Sequence, residues 1–199
     1  MAAPRTIVLD LEETDGRRRR SLDSRARIVD AMLELARQTG AAPSAEQVAQ
    51  RAGVGLRTVF RHFQDMESLY REMVGPIEVE LRAWAQRPFK GETWRERVME
   101  LIVRRSTAFE TVAPLRRASE TLRADSAVLQ AEHTVMTTSL RAILRGLIPK
   151  NAVDAPTFEA LDLLLGFEAW ARLRREQHLP PAQARKVLQN AVRALIGED

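Results

Sequence analysis

Apolar residues recur every three to four positions over most of the chain, the spacing of helices that bury one stripe. In the first such stretch, about Ser24 to Thr39, Ile28, Met32, Leu35 and Ala36 share a face, and Gly40 offers a stop. Ala42 and Pro43 lead to a short second helix, opened by Ser44 with Gln47 three residues on as a capping box, with Val48, Ala49 and Ala52 inward. Gly53-Val54-Gly55 interrupts the pattern. A third short helix, Leu56 to Phe63, turns Val59 and Phe63 inward. A fourth, about 66 to 86, starts at Asp65 as N-cap and carries Leu69, Met73, Ile77, Leu81 and Trp84. Pro76 lacks a backbone donor, so a kink or break is expected near Gly75.

Arg87-Pro88 to Gly91 is a loop, and Thr93 with Glu96 forms a second capping box for a helix to about Val112. Pro114 opens a further short helix, and a long one follows from about Asp125 to Gly146. Pro156 suits the first position of another long helix, reaching about Gln177, and Pro180-Pro181 precedes a last one ending near Ile196. The one β-branched run, Thr6 to Leu9, is short and near a terminus. The expectation is an all-α fold of about nine helices. It divides into a flexible acidic-then-basic arm (1–24), a three-helix N-terminal domain (25–70) and a helical C-terminal domain (71–199).

The chain of 199 residues has no cysteine, so disulfides, thiolate metal sites and cysteine nucleophiles are excluded. No stretch approaches the roughly 18 to 20 apolar residues that span a bilayer. Asp10 directly after Ile7-Val8-Leu9 leaves no secretory apolar segment. A soluble cytoplasmic protein with no membrane partner is expected. The net charge of +4 says little, but its placement says more. Residues 17–63 carry ten arginines against four acids, while residues 1–16 are net acidic and the remainder nearly neutral. A basic block confined to one segment is the footprint of a phosphate-binding surface, or else a solvated charged face.

Two short helices joined by a glycine-containing turn, braced by a longer one, make a helix-turn-helix. Gly53 permits the bend, and the second helix is short enough to enter a major groove about 12 Å wide. Residues 25–70, with Ala52-Gly53-Val54-Gly55-Leu56-Arg57-Thr58-Val59-Phe60-Arg61-His62-Phe63 and then Glu67-Ser68-Leu69, resemble the DNA-binding domain of TetR-type transcriptional regulators. The resemblance implies a homodimer on a palindromic double-stranded DNA operator, acting as a repressor by default and released by a small-molecule effector. Three positions depart from the family pattern. Gly55 stands where Ser or Thr usually caps the recognition helix, Phe60 where a Tyr hydroxyl commonly meets phosphate, and Met66 where a Lys is common. By position, Arg57 and Arg61 face guanine edges or phosphate, Leu56 and Thr58 a thymine methyl, and His62 and the helix start at Ser44 phosphate. The arm Arg17, Arg18, Arg19 and Arg20 would make up for the missing anchors, in the minor groove or along phosphates.

In the body, the segment 156–177 is apolar nearly all round, with Phe158, Leu161, Leu163, Leu164, Leu165, Phe167, Trp170 and Leu173. A helix of that kind is buried on two sides. Leu163, Gly166, Phe167 and Trp170, with Val187, Leu188, Ala191 and Leu195 of the last helix, are therefore the candidate dimerisation surface. Trp84, Phe109, Met136, Phe167 and Trp170 are candidate effector contacts, or core. Arg105 and His133 fall on apolar stripes, and a buried charge there requires a protein partner or an anionic ligand. An enzyme is not expected. His62, His133 and His178 show no metal-ligand spacing, and phosphate-cradling or nucleophile motifs are missing, so neither metal nor cofactor is implied.

Overall fold

The computed structural model describes the backbone of residues 9–197 and the side chains from residue 18 onward, residue 121 excepted. Thr6 to Val8, most of the β-branched run, lie outside the described residues. The described chain is all-helical: α1 Leu9–Thr39, α2 Ala45–Ala52, α3 Leu56–His62, α4 Met66–Ala85, α5 Trp94–Asp125, α6 Ala127–Leu147, α7 Ala155–Leu164, α8 Phe167–Arg175 and α9 Pro181–Ile196. The capping boxes at Ser44 and Thr93 form, and Asp65, expected only as an N-cap, makes a third with Ser68, each side chain accepting from the backbone N–H three residues on.

Four boundaries differ from the pattern's expectation. Helix α1 begins at Leu9 rather than near Ser24, so the basic run Arg17 to Arg20 is helical where a flexible arm is expected. That segment has no apolar period in the sequence, so hydrophobic spacing does not mark it as helical. Helix α4 runs through Pro76 and α5 through Pro114 without a break. A proline removes one donor, and in α5 burial on both sides of it, by Phe109 and Leu115, outweighs that loss, whereas in α4 the buried residues Leu69, Tyr70, Met73 and Val74 all precede Pro76 and half-buried Ile77, Leu81 and Trp84 follow it.

The fourth boundary is the segment 156–177, expected as one helix. It breaks at Leu165 and Gly166, where the Leu165 carbonyl accepts from the Arg105 guanidinium at 2.9 Å and Gly166 N-caps α8 with ψ of 161°. The break resets the helical phase. Phe158, Leu161 and Leu165 before it, and Phe167, Trp170 and Leu173 after it, all enter the same core. The all-round apolar pattern is therefore two one-sided helices in series.

Two apolar cores share α5 as a spine of about 48 Å. One gathers Ile28, Met32, Val48, Val59, Phe63, Leu69 and Met73 with Leu115 and Ala118 of α5. The other gathers Val98, Ile102 and Phe109 of α5 with Leu144, Phe158, Trp170, Leu188 and Val192. The N-terminal unit is thus welded to the second half of α5. Tyr70 adds a hydroxyl donated to the Leu115 carbonyl at 3.3 Å, and Arg71 an ion pair with Glu132 of α6 at 2.9 Å.

Candidate functional site

Helices α2 and α3 meet at a turn that only glycine makes cheaply. Gly53 has φ 63° and ψ 39°, the left-handed region, and its N–H closes α2 on the carbonyls of Ala49 and Gln50. A Cβ there would meet nothing nearer than Arg27 Nη1 at 4.0 Å, so the demand is conformational rather than steric. Gly55 differs. Its φ of −74° is ordinary, no side chain caps α3, and a Cβ would have open space. Gly53→Ala should therefore cost about 1–2 kcal/mol, whereas Gly55→Ser should gain a few tenths through a new cap. Urea unfolding of the two variants checks the pair, which should move in opposite directions.

Helix α3 presents an outward face of Leu56, Arg57, Phe60 and Arg61, with Leu56 38% and Phe60 49% exposed, while Val59 and Phe63 anchor it below. Neither Arg57 nor Arg61 has a hydrogen-bond or ion-pair partner among the described residues. Two unpaired guanidiniums beside two open apolar side chains, on a helix held at its base, can do little for the fold. They suit a polyanion.

What holds the base was not visible in the pattern. Arg25 of α1 donates to the His62 carbonyl at 2.6 Å, forms a two-point ion pair with Glu72 of α4, and lies over the Phe63 ring at 4.3 Å. One side chain so ties the end of α3 to α1 and α4. Burial, then Arg61 and Arg25, hold the His62 imidazole below its usual range, and Nε2 is buried without a partner. His62 is thus a half-buried ring whose charged form is disfavoured. Ser44 is exposed, but its hydroxyl is occupied by Gln47 N–H, and Glu46 stands in the first turn of α2.

Thr58 is half-buried beside this face. Arg18, Arg19 and Arg20 are exposed on α1, and Arg20 Nε reaches the Gly16 carbonyl at 3.2 Å. Successive helical positions turn by about 100°, so these arginines fan around the helix and cannot follow one groove as a ribbon would. The side chain of Arg17 lies outside the described residues.

Residues 28–73 match the family model described as bacterial regulatory proteins, tetR family. This segment is a TetR-family DNA-binding domain. A chain that carries it is a helix-turn-helix DNA-binding transcriptional regulator, and the matched stretch covers the last part of α1, all of α2 and α3, and the start of α4. No curated protein matches the chain. No helix among the described residues is long and apolar enough to cross a membrane.

The body of this regulator scatters the candidate effector residues. Phe109 and Phe167 meet edge to face, with ring centroids 5.5 Å apart, and Trp170 is buried beside them, its Nε1–H donated to Glu110 at 2.8 Å. Trp84 lies at the far end of α4 and Met136 on α6, both half-buried. Arg105 is 5% exposed, and its two terminal guanidinium nitrogens donate to the carbonyls of Leu165 and Leu140 while Nε is buried without a partner. His133 Nδ1 lies 3.0 Å from Arg116 and 3.1 Å from Arg123. Guanidiniums only donate, so Nδ1 is the acceptor and the proton sits on Nε2. Burial, then Arg116 and Arg123, keep this ring below its usual range as well, with Glu168 opposing them weakly.

Both depressed histidines give the same sign. The unfolded rings take up protons first as pH falls below about 6.5, so stability is complete above that value and is lost as pH drops through the folded values. Melting temperature should fall between pH 6.5 and 5, before the carboxylates titrate. His133→Gln, which keeps an acceptor and cannot titrate, should flatten that fall. An unchanged slope would reject the neutral-ring assignment.

Of the candidate dimerisation residues, Phe167, Trp170 and Leu188 point into the chain's own core, and Gly166 and Ala191 are half-buried. Leu163 at 71% exposure, Val187 at 44% and Leu195 at 38% remain open on α7 and α9.

Proposed function

We propose that the protein is a homodimeric repressor whose two heads bind a palindromic operator and whose helical body, residues 71–199, takes up a small effector that releases them. The observation that carries the DNA half is the α3 face: Arg57 and Arg61 unpaired, Leu56 and Phe60 open, all braced from behind by Arg25. The dimer is supported by the open Leu163, Val187 and Leu195, since large apolar side chains exposed on neighbouring helices favour a partner's surface. A two-fold dimer presents two α3 helices to half-sites about 34–36 Å apart, one turn of DNA. The region 25–70 acts as the reading unit. Its joint core with α5 gives the body a direct mechanical hold on it.

Gly55, Phe60 and Met66 favour a second reading, a family member that senses a ligand without binding a specific operator. None of the three offers phosphate a side-chain hydroxyl or amine. Selection of bound sequences from a random DNA pool by the full chain separates the two. The repressor reading requires enrichment of an inverted repeat with half-sites one turn apart. Failure to retain DNA even at low salt favours the second reading.

A further inference from the structure

Between α5 and α8 lies a cleft of about 240 Å³, walled by Ala113, Pro114 and Ala171 over Phe167 and Trp170 and rimmed by arginines. The rim charges are unequally matched. Glu110 is saturated: it accepts from Arg174 at 2.9 Å and from Trp170 at 2.8 Å, and Arg174 holds its carboxyl below the usual range. Arg175 has only a loose contact with Glu120 at 3.8 Å, both of them half exposed. Arg117 has no hydrogen bond or ion pair to any described residue, only a longer-range attraction to the Glu110 that Arg174 already holds. The cleft therefore offers two weakly engaged guanidiniums above an aromatic and aliphatic floor.

Arg117 also touches the reading unit. It packs on Gly40, immediately after α1, so closely that a Cβ there would lie 2.7 Å from its Nε. The same side chain lines the cleft and places its positive charge at the C-terminal end of the α1 dipole, where cations are favoured. A carboxylate in the cleft would compete for it.

We infer that this cleft binds small aryl carboxylates, with Arg117 as the acid-binding group, and that occupancy draws Arg117 from the end of α1 and weakens DNA binding. This rests on the effector-release reading above and gives it a site and a ligand class. The volume sets the size: below the roughly 300 Å³ of ordinary small-molecule pockets, it admits a single ring with a short acidic arm. The charge sets the sign. A neutral isostere of the same shape leaves both guanidiniums unmatched.

The test is calorimetric titration of the full chain with benzoate, phenylacetate and cinnamate, beside the matching amides. Binding to the operator fragment recovered by selection is followed in parallel. At least one acid should bind ten times more tightly than its amide, and Arg117→Gln should lose that advantage. Ala171→Met, which fills the cleft and leaves every charge in place, should block the acid as well, so the result does not depend on one variant folding. The bound acid should weaken DNA affinity at least tenfold in the wild type and leave Arg117→Gln unmoved. Acids that bind no better than amides, or equally well to both variants, overturn the cleft and leave effector release by another ligand standing. Acid bound through Arg117 with DNA affinity unchanged overturns the coupling and, with it, the release reading for this site.

Discussion

Replacing Arg57 and Arg61 together by alanine should reduce affinity for a selected operator fragment by at least about a hundredfold, with the melting temperature nearly unchanged. Each exposed arginine in contact with a base edge carries about 1–3 kcal/mol of discrimination, and each phosphate contact adds about 0.9 to the slope of log affinity against log salt. In a two-headed complex four guanidiniums disappear at once. Neither side chain has a protein partner, so the fold has little to lose. Fluorescence anisotropy over a salt series measures both quantities and also divides the roles. Loss of a residue on phosphate lowers affinity for every sequence and lowers the slope. Loss of a residue on guanine O6 and N7 lowers affinity for the selected sequence alone and relaxes the preference at one position. Wild-type affinity in the double variant would remove α3 from the interface.

That face was legible in the sequence because its constraints are local. A glycine turn, a short helix with Val59 and Phe63 inward, the capping boxes at Ser44 and Thr93 and the N-cap at Asp65 follow from neighbours within a few positions. Two of the misplaced boundaries turn on contacts between residues far apart. Leu165 ends α7 because of Arg105, sixty positions earlier. Pro114 fails to end α5 because Leu115 and Ala118 have α1 and α4 to pack on. Residues 9–24 extend α1 without an apolar period. The same limit governs the site. Arg25 stands just ahead of an apolar stripe as one more arginine in a basic segment, and nothing local foretells that it holds His62 and Glu72. Arg117 looks like any solvated cation until Gly40 is beside it.

Arg105 shows how far such a distant contact can set stability, and Arg105→Ala should lower the melting temperature by about 10 °C. Its guanidinium is buried without a carboxylate in contact. Burial pushes it down to about 10, with Asp162 opposing only from a distance, and Nε has no partner. Keeping that cation inside costs about 3 kcal/mol at 1.4 kcal/mol per tenfold change in proton affinity. Its bonds to the Leu165 and Leu140 carbonyls, at about 1.5–3 kcal/mol each for a charged donor, offset the cost. Truncation to alanine removes the bonds, takes the side-chain donor from the buried Leu165 carbonyl at the end of α7 and opens a cavity, together about 3–5 kcal/mol. In a chain of this size each kcal/mol is worth about 2–4 °C. Arg105→Met separates the terms, because it fills the space and also removes the cost of the buried cation. It should lose less than half as much, as replacing a buried charge by an apolar side chain often does. Equal losses in the two variants would mean that the carbonyl bonds dominate and that the charge is buried at little cost. A methionine variant as stable as the wild type would mean that α7 and α8 do not depend on Arg105 to stay apart, and that Gly166 alone makes the break.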